Sequence, residues 1–209
     1  MAYRETEKMR QRKAEARQRI IDCTCTCVAE DGFQSTKITR IATLAGVATG
    51  TIYRHFESRE ELFTEVFRLS TQREVDKVAS ALATPGDALT RLESALRQFA
   101  QRALKAPAMA WALIAEPVDS RLDSERLEYR KAYATLFEQA IREGIEEGSI
   151  PDQDAGQSST CLVGAIAESL VGPLSPAQSG QKPADNTNNN RLVDTIIRFC
   201  LQGLTGTRR

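Results

Sequence analysis

The sequence predicts an all-α fold, and three observations carry that expectation. Apolar residues recur at intervals of three and four along successive segments, the period of a helix with one buried face. No segment of useful length alternates apolar and polar residues as a strand would, and Gly and Pro mark the ends of the periodic runs. With 209 residues, 41% of them hydrophobic, the chain can bury a core as one large or two small domains.

The elements follow in order. Arg4 to Asp31 contains neither Gly nor Pro and repeats apolar or small residues at Ile20, Cys23, Thr24, Cys27 and Val28, which predicts a first helix closed by Gly32. Thr36 is expected to cap a second helix that buries Ile38, Ile41, Ala42 and Ala45. Gly46 then turns the chain, Val47 plugs the corner, and a third helix runs from Thr49 to His55 with Ile52 and Phe56 inward, which makes a helix-turn-helix pattern. Ser58 and Glu61 form a capping box that opens a helix to Leu82, and Thr84, Pro85, Gly86 and Asp87 break it. Further helices are expected over Ala88–Lys105, Pro107–Glu116, Ser124–Glu147, Asp154–Val171 and Asn190–Leu204. Gly172 to Asn189, rich in Pro, Ser, Gly and Asn, is too polar for a packed element and reads as a loop.

The run from Ile41 through Ala45, Gly46, Val47, Thr49, Gly50, Thr51, Ile52, Tyr53, Arg54, His55 and Phe56 resembles the DNA-binding signature of the TetR/AcrR repressor family. Gly32, Phe33 and Thr36 before it and Ser58, Arg59, Glu60 and Leu62 after it also match, so the likeness is dense from about residue 10 to 67. It implies a TetR-like fold, with an N-terminal three-helix helix-turn-helix domain over residues 1–57 and a C-terminal helical ligand-binding and dimerisation domain over 58–209. It implies a transcriptional regulator, a homodimeric repressor on a palindromic DNA operator that a ligand releases.

A recognition helix needs compact polar groups at its start, and Thr49, Gly50 and Thr51 supply them, while Tyr53, Arg54 and His55 follow on the same element. Thr36, Lys37 and Arg59 are placed where the backbone of a docked duplex would run, and Arg40 is a further candidate DNA contact. Ala48 and Thr49 depart from the Ser and Lys frequent in the family, which removes a capping hydroxyl and one positive charge, and Arg40 stands where an acidic residue is frequent. The charge distribution agrees with a basic front end. Residues 1–56 hold 10 Lys/Arg against 6 Asp/Glu, a balance of +4, although the whole chain is neutral.

For the remainder the resemblance implies a small-molecule pocket between the middle helices. Phe99, Met109, Trp111, Leu113, Tyr129, Tyr133 and Phe137 are the candidate lining residues, with Glu116 and Arg130 as polar anchors, and each is also compatible with ordinary core packing. The mix suggests a largely apolar effector. The apolar stripes Leu162, Val163, Ile166 and Leu170, and Leu192, Val193, Ile196, Ile197 and Phe199, are the expected dimer interface, with internal packing as the alternative.

Other function classes find less support. A helical enzyme built on Glu116, Asp119 and Glu143 lacks metal-ligand spacing, a phosphate loop or a nucleophile motif, so no cofactor or metal is expected. Cys23, Cys25 and Cys27 lack CxxC spacing and read as small core residues, with redox sensing as the alternative. No apolar run approaches the roughly 18 residues of a membrane span and no signal-peptide pattern opens the chain, so a cytoplasmic protein is expected.

Overall fold

The computed structural model describes residues 7–176 and 186–206, and among them every helix or strand assigned is helical. The order is α1 (Glu7–Ser35), α2 (Ile38–Ala45), α3 (Thr49–His55), α4 (Arg59–Leu82), α5 (Ala88–Lys105), α6 (Pro107–Ile114), α7 (Ser120–Glu146), α8 (Ala155–Leu174) and α9 (Asn186–Thr205). Residues 4–6 of the expected first helix lie outside the described residues.

Local signals place most of the boundaries. Gly32 has φ 76° and ψ 177°, a region essentially confined to glycine, so α1 kinks there and Phe33–Ser35 form a separate last turn. A Cβ on Gly32 would also stand 2.8 Å from Glu116 Oε1, so torsion and space both require glycine. Gly46 closes α2 in the left-handed region, φ 66° and ψ 36°, with its amide bonded back to the last turn. Ser58 Oγ accepts from the Glu61 amide at 3.0 Å. The Glu61 carboxylate returns the bond to the Glu57 amide, one residue ahead of the cap.

Several expected boundaries are corrected. Thr36 does not cap α2: its hydroxyl donates to Gly32 O at 2.6 Å, the side chain is buried, and Lys37 occupies the cap without a side-chain bond. α7 starts at Ser120 rather than Ser124, because Asp119 accepts from the amides of Arg121 and Leu122 at 2.9 and 3.2 Å. α8 runs past Val171 to Leu174, whose side chain is buried in the core, and Pro173 in that last turn removes only one amide donor. α9 begins at Asn186 rather than Asn190. Of the expected loop, residues 172–174 and 186–189 are therefore helical, and 177–185 lie outside the described residues.

Two apolar cores result, and α4 enters both. Its first half, Leu62, Phe63, Val66 and Phe67, joins Ile20, Ile21, Val28, Phe33, Ile41, Ile52 and Phe56, together with Ala112 of α6 and Leu122 of α7. Its second half, Val78, Ala81 and Leu82, joins α5, α7, α8 and α9. Seven of the residues expected at a dimer interface belong to this second core. The single chain already buries Leu162, Val163, Ile166, Leu170, Val193, Ile196 and Ile197, which corrects that assignment: their stripe faces inward. Leu192 is half-buried, and only Phe199, 66% exposed, points away.

Candidate functional site

The helix-turn-helix presents a compact outward face. Lys37, Gly50, Tyr53 and Arg54 are exposed, with Thr49 and Thr51 half-buried beside them. Tyr53 is 49% exposed and Leu44, at the end of α2, 52%. No side chain caps α3 at Ala48, as the loss of the family's hydroxyl predicts. Lys37 and Arg54 have no ion-pair partner among the described residues, so both charges are available to phosphates.

Four other expected DNA contacts are held within the protein. Thr36 is buried, as described. Arg59 donates from Nη2 to Phe33 O at 2.8 Å and to Thr36 O at 3.4 Å, and its guanidinium lies 4.3 Å over the Phe63 ring. Carbonyls freed at the α1–α2 junction draw this side chain inward, so the phosphate assignment for Arg59 is corrected. Arg40 forms ion pairs with Glu30 and Asp31 on α1, which neutralise it at an exposed site. His55 is turned toward α1, in a groove formed with Arg10, Lys13, Arg17 and Arg54. Burial, then Lys13 and Arg17, lower its pKa, so the ring is neutral at physiological pH.

That groove adds positive charge the motif reading missed. Lys13 is exposed beside α3 and so is Arg10, which pairs with Glu7 at 2.6 Å, while Arg17 pairs with Glu65 and lies 4.7 Å over the Phe56 ring. The three- and four-residue spacing of 10, 13 and 17 was a legible signal of one basic helix face.

Between α4, α5, α6, α7 and α8 lies a cavity of about 120 Å³. Seven expected residues line it: Phe99, Met109, Leu113, Tyr129, Arg130, Tyr133 and Phe137. Phe99 and Tyr133 meet edge to face at 5.7 Å, and burial pushes the Tyr133 hydroxyl well above its ordinary pKa, so it stays protonated. Trp111 does not line the cavity and packs against the second core. Sequence reasoning missed the polar lining residues Thr71, Glu74, Arg102 and Arg126, and it assigned Val163 and Ile166, which also line the cavity, to a dimer contact.

Glu116, expected as a pocket anchor, is instead the joint between the two cores. Its carboxylate is buried and accepts from the amides of Phe33 at 2.8 Å and Gln34 at 2.9 Å, the donors exposed by the Gly32 kink. Arg126 grips the same corner from the other side, donating to Leu113 O at 3.1 Å and Glu116 O at 2.8 Å, while also lining the cavity. A continuous polar path thus runs from the cavity wall through the end of α6 to the end of α1.

The remaining chemistry-bearing residues are structural. Asp119 caps α7 and Glu143 pairs with Arg91 at 2.9 Å, so the three carboxylates considered for catalysis do not converge. Burial raises the pKa of Cys23, Cys25 and Cys27, which keeps these thiols protonated and poorly nucleophilic. Among the described residues no cluster of metal-ligating side chains occurs and no helix is long and apolar enough to cross a membrane.

Comparison with known proteins agrees with this arrangement. Residues 20–66 match the family described as bacterial regulatory proteins, tetR family. The HTH-type transcriptional regulator BetI of Escherichia coli K12 is 30% identical over 190 residues, 87% of this chain and 91% of BetI. The HTH-type transcriptional repressor KstR2 of Rhodococcus jostii is 28% identical over 141 residues, 66% of this chain and 69% of KstR2. The structure of the transcriptional regulator FadR from Bacillus subtilis, in complex with stearoyl-CoA, superposes with a TM-score of 0.72 at 19% identity, covering 90% of this chain and 98% of FadR. With a matched reading head and a relative aligned over nearly its whole length, this chain belongs to the tetR family of bacterial regulatory proteins and is a regulator of transcription rather than an enzyme.

Proposed function

We propose that the protein is a cytoplasmic homodimeric repressor that binds a palindromic operator and is released from it by a small, largely apolar effector. Residues 1–57 form the DNA-reading unit and residues 58–209 the effector and dimerisation unit, with the first half of α4 packed into the former. The observation that carries this reading is the outward set Lys37, Gly50, Tyr53 and Arg54 on α2 and α3, flanked by Arg10 and Lys13. Gly50 lets backbone approach the duplex, Tyr53 and Lys37 hold phosphates, and Arg54 reaches a guanine or a phosphate. Arg40 exchanges its exposed carboxylate partners for a phosphate when DNA docks.

Two reading heads must stand about 34–36 Å apart to enter successive major grooves. The pairing surface is the outer face of α8 and α9, where Phe199 projects and Gly164 and Gly203 leave room for close helix approach. An effector in the cavity pushes on α4 and on the Arg126–Glu116 corner, and both connect to the reading head. It shifts the population only as far as it prefers the non-binding spacing. The stearoyl-CoA complex of the FadR neighbour is in keeping with an apolar effector in this fold.

Gel-shift titration against fragments selected from the source genome tests this reading. Wild type is expected to bind with a steep salt dependence, and Arg54→Ala to weaken binding by about tenfold with dimerisation intact. A chain that holds no duplex at about 50 mM salt would refute it.

A further inference from the structure

The cavity is apolar over most of its wall, yet its polar groups are unevenly charged. Arg102, Arg126 and Arg130 line it against a single carboxylate, Glu74. Glu74 is itself satisfied twice, by Arg102 Nε at 2.8 Å and by Lys77 at 2.6 Å. Arg126 and Arg130 stand four apart on α7, a like-charge pair that opposes itself, and only Arg126 has a carboxylate partner, Asp123 at 2.9 Å. The wall therefore carries positive charge that the protein does not neutralise.

Two donors at this wall have nothing to bond. Among the described residues the Thr71 hydroxyl, on a side chain only 6% exposed, has no hydrogen-bond partner, and neither does the buried Nη2 of Arg102. Buried donors are nearly always paired, so two orphans lining one cavity mark a place where a ligand's acceptor belongs. A guanidinium nitrogen and a hydroxyl that line one cavity suit a carboxylate, whose oxygens accept from both.

Resting on the reading of this cavity as the effector site, we propose that it receives a small organic carboxylate whose anionic end is bound by Thr71 and Arg102. Arg126 and Arg130 supply the field that favours an anion, and the Phe99–Tyr133 side encloses the apolar body.

Calorimetric titration of the full-length protein with sodium octanoate, octan-1-ol and octylammonium chloride tests the assignment. Octanoate is expected to bind at least about tenfold more tightly than either of the others, with Arg102→Met reducing it to the level of octan-1-ol and the isosteric Thr71→Val weakening it by about tenfold. Thr71→Val preserves volume, so it keeps the test valid if Arg102→Met fails to fold. Octan-1-ol or octylammonium binding as tightly as octanoate, or octanoate affinity unchanged in the variants that fold, would overturn the carboxylate assignment and leave the effector cavity standing. Binding of none of the three would overturn the cavity reading itself.

Discussion

Replacing Glu116 by alanine removes the acceptor of two amides at once. The Phe33 amide is buried, and an unsatisfied buried donor costs about 1–3 kcal/mol; the Gln34 amide is only partly buried and costs less. The expected destabilisation of Glu116→Ala is about 2–4 kcal/mol. Glu116→Gln keeps one carbonyl acceptor at neutral strength and is expected to cost about half as much. In urea unfolding at fixed protein concentration, with a slope of about 2 kcal/mol per molar, the midpoint of the alanine variant should fall by about 1–2 M with the slope unchanged. Gly32→Ala should be non-additive with it, because the added Cβ collides with the Glu116 carboxylate that the first substitution removes. A midpoint within about 0.3 M of wild type would show that the α1–α6 joint does not depend on this carboxylate.

Two other outcomes follow from the same geometry. Phe199→Asp places a charge at a position 66% exposed in the single chain, so in analytical ultracentrifugation the proposed dimer should dissociate to protomers while circular dichroism retains the helical signal; a variant that stays dimeric would place the interface elsewhere. Burial raises the pKa of Cys23, Cys25 and Cys27, so a thiol reagent at neutral pH should modify these three slowly, after the exposed Cys161, and leave DNA affinity unchanged at first; rapid modification coupled to loss of binding would restore the redox reading.

The sequence alone determined what depends on neighbours along the chain. Gly32 and Gly46 at positive φ, the Ser58–Glu61 cap and the break at Thr84–Asp87 are local, and each element they delimit is present. The reading helix was legible for the same reason, since Gly46, Gly50 and Tyr53 act within one short motif. Tertiary structure decided what depends on residues distant in the chain. Glu116 and Phe33 are 83 positions apart, and no periodicity announces that a carboxylate at the end of α6 will meet amides freed by a kink in α1. The stripes on α8 and α9 show the same division. Helical spacing fixes which side chains share a face, but whether that face meets the chain's own core or a second copy depends on how α5, α6 and α7 fill the space around it. Here they bury Leu162, Ile166 and Ile197 and leave Phe199 outside.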